Sequence, residues 1–242
     1  LTVNSAPTNI SLSSTSVAEN VSSSSTVATI SATDPDVGDF HSFSLISSND
    51  SRDDDNGSFT ISGTQLIINS SPDYETKPSY NIYINSSDGT NTYAKAFTVS
   101  VTNINEAPTD IGLSTNTITE NASPSSVIGA LSSVDVDANN TNTFTLATSG
   151  NTDDDDNGSF TISGTSLILN SSPDYETKAS YNIYINVNDG ANNYAKAFTV
   201  SVTNINEAPT DLSFAGAKFV TDGLILYLDA ANSNSYPGNG NT

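Results

Sequence analysis

Carboxylates are the side chains of this sequence whose numbers and placement suit chemistry. Across 242 residues, 27 Asp and Glu stand against 6 Lys and Arg, a formal net charge of −21. The acids gather in short motifs: Ala18-Glu19-Asn20, Asp34-Pro35-Asp36, Asp73-Tyr74-Glu75, Asn105-Glu106, Asp135-Val136-Asp137 and Asp189-Gly190. Each falls at the expected end of a strand or between repeats, where oxygen ligands from separate segments can converge. Such a set suits a hard divalent cation. Calcium takes six to eight oxygens from carboxylates, amides, carbonyls and water, whereas magnesium keeps a tight octahedron and retains its water. Other chemistries are poorly served. There is no cysteine for thiolate zinc, disulfides or nucleophilic catalysis, and His41 is the single histidine. Charge of this sign repels nucleic acid and anionic membrane surfaces. No apolar run reaches the roughly 18 residues of a membrane helix, so direct insertion is not expected. Glycosidases need two carboxylates about 5–9.5 Å apart across a sugar-binding cleft, and the chain has no Trp to line one. No catalytic residue is assigned, and the chain reads as non-enzymatic.

The elements that must position these acids repeat with a period of 101 residues. Ala6-Pro7-Thr8 returns as Ala107-Pro108-Thr109 and again as Ala208-Pro209-Thr210. This is a tandem array. It sets expected boundaries: a linker end at 1–5, repeats at 6–106 and 107–207, and a short β-rich C-terminal piece from 208 to 242. Within a repeat the hydrophobic period is two. Tyr80, Ile82 and Ile84 alternate with Asn81, Tyr83 and Asn85, and Phe97, Val99 and Val101 with Thr98, Ser100 and Thr102. Both runs predict half-buried strands. Shorter strands are expected over 26–31, 42–46, 59–61 and 66–68, with another near 10–17, and turn signals such as Asn56-Gly57 and Asp88-Gly89 lie between them. About seven short strands per 100 residues indicate an all-β antiparallel sandwich, Ig-like and Greek-key. Regular alternation outweighs the high charge, which would otherwise suggest disorder. The absence of Met, even at position 1, reads as a fragment or a processed product.

In order and type, the motifs Ala18-Glu19-Asn20, Asp73-Tyr74-Glu75, Asn103-Ile104-Asn105-Glu106-Ala107-Pro108, Asp135-Val136-Asp137 and Asn188-Asp189-Gly190 resemble the calcium motifs of cadherin repeats. Asn-Glu-Ala-Pro-Thr, with Asp34-Pro35-Asp36-Val37-Gly38-Asp39, is especially similar to bacterial cadherin-like repeats. The likeness runs over about 4–207 and implies two tandem seven-stranded sandwiches in an extended array. It also implies a three-ion calcium cage at the central junction. Glu19, Asp73 and Glu75 would come from repeat 1. The linker would give the Asn105 and Glu106 side chains and the carbonyls of Ile104 and Ala107, and repeat 2 would give Asp135, Asp137 and Asp189. Three divalent ions would nearly neutralise the seven carboxylates. Empty, the cage repels itself: two carboxylates ~5 Å apart at an effective dielectric of ~20 cost about 3 kcal/mol. The resemblance further implies an N-terminal half-site of Asn4, the Ala6 carbonyl, Asp34, Asp36 and Asp88, with Ser5 standing where Glu106 stands later. It implies a C-terminal half-site of Glu120, Asp174, Glu176, Asn206 and Glu207; beyond it no Asp-x-Asp follows in register, and Asp211 or Asp222 stands as the substitute. Two departures matter. Glu106 and Glu207 replace the linker Asp of animal cadherins, and the lack of Trp excludes adhesion by exchange of a Trp-anchored strand.

Other features are read more plainly. The runs Asp53–Asp55 and Asp153–Asp156 precede a strand and read as solvated loops. Asp153-x-Asp155-x-Asn157-Gly158 matches half an EF-hand loop, but Gly164 stands where its bidentate Glu belongs. His41 reads as a surface residue. The tail, Asp222-Gly223-Leu224-Ile225-Leu226-Tyr227-Leu228-Asp229 onward, looks like the opening of a laminin-G/concanavalin-like jelly roll, which implies glycan recognition. The leading expectation is a calcium-stiffened adhesion or stalk segment, extracellular or on a cell surface. Its partners would be neighbouring repeats, with glycans or surface proteins beyond them. Two alternatives stay open: an accessory carbohydrate-binding or spacer region of a secreted glycan-degrading enzyme, and a virion fibre or decoration module.

Overall fold

Alternating side chains along extended segments bury one face and solvate the other, and here that pattern generates two β-sandwiches. The computed structural model describes residues 3–137 and 141–208. Two compact units partition the chain, Leu1–Asn204 and Ile205–Thr242. The first holds both repeats. The lectin-like stretch of the tail, and Asp211 and Asp222 with it, lies outside the described residues.

Repeat 1 contributes β1 (Asn9–Leu12), β2 (Ser16–Ala18), β3 (Thr26–Thr33), β4 (Ser42–Leu45), β5 (Phe59–Ser62), β6 (Gln65–Ile68), β7 (Ser79–Ser87) and β8 (Thr92–Thr102). They form two four-stranded sheets, ordered β1-β3-β6-β5 and β2-β8-β7-β4. Repeat 2 copies this plan with β9 (Asp110–Leu113), β10 (Thr117–Thr119), β11 (Val127–Val134), β12 (Thr143–Leu146), β13 (Phe160–Ser163), β14 (Ser166–Leu169), β15 (Ser180–Asn188) and β16 (Asn193–Thr203). Its sheets are β9-β11-β14-β13 and β10-β16-β15-β12. Among the described residues the only helical turns are short 3-10 ones, and no helix is long and apolar enough to cross a membrane.

Each core is formed by the facing side chains of the two sheets. In repeat 1 Ile10, Leu66, Ile68, Ile82, Ile84 and Val99 are wholly enclosed, and Tyr80 meets Phe59 edge to face at 5.4 Å. Repeat 2 repeats the edge-to-face pair with Phe160 and Tyr181 at 5.5 Å.

Two features depart from the expected antiparallel plan. The segment expected as one strand near 10–17 is two strands in opposite sheets. β1 pairs antiparallel with β3 through Asn9↔Thr33 to Leu12↔Ile30. After Ser13 the chain crosses the sandwich, and β2 runs parallel to β8 through Ser16↔Ser100 to Ala18↔Thr102. β9 and β10 do the same, with β10 parallel to β16. The acidic run before β5 is also more than a solvated loop. The Asp55 N–H donates to the Asn81 carbonyl at 3.0 Å, Asp55 Oδ2 accepts the Asn81 N–H at 2.8 Å, and Asn56 Oδ1 accepts the Tyr83 N–H at 3.0 Å. Side chains thus continue the ladder along β7 beyond the end of β4, and Lys77 closes on Asp55 at 2.7 Å. Asp156, Asn157 and Lys178 repeat this arrangement against β15.

Candidate metal centre at the repeat junction

Glu19 follows directly on β2, at the end of the sandwich where β8 runs out into the linker. It is 2% exposed, a burial that a carboxylate tolerates only with strong partners. Its Oε2 accepts the Tyr74 N–H at 2.8 Å and its Oε1 the Ile104 N–H at 2.6 Å. One side chain therefore ties the β6–β7 loop to the linker. Asp73 is held beside it, accepting the Thr76 N–H at 3.0 Å and the Thr76 hydroxyl at 2.9 Å. These bonds lower its affinity for a proton.

Repeat 2 meets this base through the linker. The Glu106 N–H donates to Asp137 Oδ2 at 2.6 Å, and Asn103 Nδ2 spans Glu75 Oε1 at 2.7 Å and Asp137 Oδ1 at 3.0 Å. Asn105 Nδ2 donates to Asp189 Oδ2 at 2.9 Å, and the Asn105 carbonyl accepts from Asn192 Nδ2 at 3.0 Å. Asp135 accepts the Asp137 N–H at 3.0 Å. Asp137 and Asp189 are buried at 8% and 6% exposure. Two acid triads result, Glu19–Asp73–Glu75 and Glu75–Glu106–Asp137, each with carboxylate oxygens within 4.8 Å of one another. Glu75 belongs to both.

Five of the ten expected central residues are thus members of the triads, Asp135 reaches them through the Asp137 N–H, and Ile104 through its own N–H on Glu19. Asp189 and Asn105 join each other, while Ile104 and Ala107 are exposed residues of the linker. Asn20, not among the expected ligands, donates from Nδ2 to Glu106 Oε1. The other Glu106 oxygen, Oε2, is buried without a hydrogen-bond partner. The Glu106 carboxyl is pushed up from its ordinary value, first by desolvation and then by the charges of Glu19, Asp137 and Glu75. Glu75 is pushed up likewise, by desolvation and then by Glu19, Asp137 and Asp73. Glu75 is an exposed residue, so the crowding of like charge is the part of its shift that bears on the site. Asp189 moves the opposite way, because the Asn192 and Ala191 N–H groups stabilise its charged form.

At the N-terminal end Asp34, Asp39 and Asp88 bring oxygens within 4.8 Å of one another. Asp39 was not among the expected ligands. Asp36 instead accepts the Ser5 N–H at 2.6 Å, and the Asn4 carbonyl accepts from Asn91 Nδ2 at 3.1 Å. Ala6 is exposed. His41 is not a free surface residue: its Nε2 lies 3.2 Å from Asp34 Oδ2, with the ring 14% exposed. At the end of repeat 2 Glu120, Asp174 and Glu176 form a triad of the same size. Glu120 Oε2 accepts the Tyr175 N–H at 3.0 Å. Asn206 and Glu207 are exposed residues of the second unit.

No protein-family model and no curated protein matches this sequence. Solved structures do. Human protocadherin-24 EC1-2 aligns with a TM-score of 0.63 at 19% identity, covering 84% of this chain and 100% of that one. Protocadherin gammaB7 EC3-6, a cis-dimer structure, aligns at 0.58 and 18% identity over 82% of this chain and 48% of that one. The extracellular cadherin domains 3-6 of protocadherin gamma B2 align at 0.61 and 15%, over 81% and 48%. The chain therefore spans about half the length of the latter two. At these identities the likeness establishes the fold: tandem all-β sandwiches of the cadherin extracellular type.

Proposed function

We propose that this chain is a non-catalytic, calcium-binding segment of an extracellular or cell-surface adhesion protein or stalk, whose repeat junction is stiffened by the ions it holds. The observation that carries this reading is the pair of acid triads joined at Glu75, drawn from repeat 1, the linker and repeat 2. The donor set fits the ion. All of its members are hard oxygens, and the buried, unpartnered Glu106 Oε2 is an acceptor that the protein itself leaves unused. The residues that would hold calcium are Glu19, Asp73, Glu75, Asn105, Glu106, Asp135, Asp137 and Asp189, with the carbonyls of Ile104 and Ala107. Bound there, calcium supplies positive charge against seven carboxylates and cross-links three segments of chain. Glu19 and Asn103 hold the linker and Asp137 its Glu106 backbone, which brings the ligands near one another; what the ion adds is neutralisation of their crowded charge.

The same chemistry extends the proposal to the ends, with Asp34, Asp36, Asp39 and Asp88 at one and Glu120, Asp174 and Glu176 at the other. Domain limits of 6–106 and 107–207 belong to the same reading, as do neighbouring repeats as first partners. The cadherin-type fold supports an adhesion role.

The test is thermal unfolding of the chain in EDTA and across a calcium titration, with magnesium as control. Extracellular calcium modules bind at about 10⁻⁴–10⁻³ M, and a 100-fold excess over Kd adds about 2.7 kcal/mol per site. A calcium-specific rise in Tm is expected. An unchanged Tm at millimolar calcium would leave the acids as solvation and the junction as an ordinary linker.

A further inference from the structure

We propose that each repeat is built to carry tension along the chain, with its first and last strands forming a clamp loaded in shear and locked by a lysine. This goes beyond the calcium reading and does not rest on it, because the clamp lies inside each sandwich.

The geometry follows from the two-part first strand. In repeat 1 the chain enters at the end marked by the Ser5–Asp36 and Asn4–Asn91 hydrogen bonds. It leaves at the opposite end, where Glu19 grips the linker at Ile104. Between these ends β2 and β8 run parallel. A pull on the two ends of the repeat draws β2 toward the entry and β8 toward the exit, so the strands slide past each other along their axes. The bonds across this seam then bear the load together, not one after another as in an opening hairpin. The seam extends past the three paired residues: the Ser100 N–H donates to the Thr15 carbonyl at 2.9 Å and the Glu19 N–H to the Thr102 carbonyl at 3.1 Å.

The crossing at Ser13 puts β1 in the other sheet, where it would leave the clamp anchored on β2 alone. Lys95 of β8 closes that gap. Its Nζ donates to Asn9 Oδ1 at 2.9 Å and to the Ile10 carbonyl at 3.0 Å, both on β1, and it lies 5.3 Å from the centre of the Phe97 ring. The last strand is therefore tied to both halves of the first. Repeat 2 has the same device with a charged partner. Lys196 Nζ meets Asp110 Oδ1 at 2.7 Å and the Ile111 carbonyl at 3.0 Å, above Phe198 at 5.4 Å. Two of the six basic residues of a strongly acidic chain are spent at this one place. The lock of repeat 2 thus has a carboxylate where that of repeat 1 has an amide oxygen.

The experiment is single-molecule force-clamp unfolding of the full chain, in EDTA and in calcium. Because the chain has no cysteine, handles can be placed uniquely, either at the two termini or at S5C and T90C. The second pair pulls on loops at one end of repeat 1 and peels its strands apart. At equal force, unfolding from the termini is expected to be several-fold slower than peeling. K95A is expected to speed the unfolding of repeat 1 and K196A that of repeat 2, each roughly fivefold for loss of a partly exposed hydrogen-bonded or ionic tie. Equal rates in the two pulling directions would overturn the clamp, and unchanged rates in both lysine variants would overturn the lock. Persistence of the directional difference in EDTA separates this outcome from any failure of the calcium reading.

Discussion

Repeats 1 and 2 fold alike but are not equally well finished inside. From Asp54 to Asp110 only seven of 57 residues differ from those 101 positions later, so the few differences isolate single effects. Ser86 faces the core of repeat 1, wholly enclosed, and its hydroxyl has no partner. Val187 takes the same place in repeat 2, also wholly enclosed. Before β5 the contrast reverses. Asp50 caps the 3-10 turn Ser51–Asp53 of repeat 1 and holds Arg52 at 2.7 Å, and the Arg52 guanidinium stacks 4.7 Å from the centre of the Tyr83 ring. Repeat 2 has Asn151 as the cap of Thr152–Asp154, with Asp153 where Arg52 stands. The comparison teaches that the strand plan tolerates a poorer core position or a different cap, because the plan is set by many pairings at once. Local stability is set by each site separately.

The first way to break the comparison is at a place where the repeats agree. Glu19 and Glu120 are both 2% exposed, and truncation removes the acceptors of the Tyr74, Ile104 and Tyr175 N–H groups. Glu19→Ala is expected to cost about 3 kcal/mol in calcium-free denaturant unfolding, partly offset by relief of crowded charge, and Glu120→Ala a similar amount. A loss below ~1 kcal/mol in both would show that the bases are not organised by these carboxylates. The second exchanges the unlike core residues. Val187→Ser should lower stability by about 2–3 kcal/mol through lost apolar burial and an unpaired hydroxyl, while Ser86→Val should raise it by about 1–2 kcal/mol. Equal and opposite effects would mean that the two cores leave the same space. The smallest effect is in acid. Asp50 is held down to about 2 by its hydrogen bonds to Arg52 and by the Arg52 charge. A depressed carboxyl contributes stability that is present above its unfolded value near 4 and is lost as pH falls through about 2. NMR titration of the Asp50 side chain should show that midpoint, which Arg52→Gln should raise. Repeat 2, capped by Asn151, should show no matching event at its cap.

Much of this was legible in residue order. Period-two burial along Tyr80–Ile84 located β7, and the runs at 26–31 and 66–68 located β3 and β6 to within two residues. That acids concentrate at strand ends and at the repeat junction was legible, whereas the grouping of Asp73, Glu75 and Glu106 was implied only by the resemblance to cadherin repeats. The segment 10–17 misled for a physical reason. Alternation tells which side chains are buried, but both sheets bury their side chains in the same core, so it does not tell which sheet a strand joins. His41 misled because a single residue has no period, and its contact with Asp34 depends on the fold of the intervening loop. Asp55 and Asn56 looked like loop polarity because their partners, Asn81 and Tyr83, lie 26 and 27 residues away.

The sequence by itself determined the repeat, the strand faces and the places where carboxylates concentrate, since periodicity and motif spacing are properties of neighbouring residues. Tertiary structure alone decided which acids meet. It put Glu75 in two triads, brought Asp39 beside Asp34 and Asp88, and set Glu19 on a linker amide 85 residues away. It also made Lys95 of β8 a tie to β1 in the other sheet. Those outcomes depend on sheet order and on the crossing at Ser13, which arise only when the strands have packed against one another.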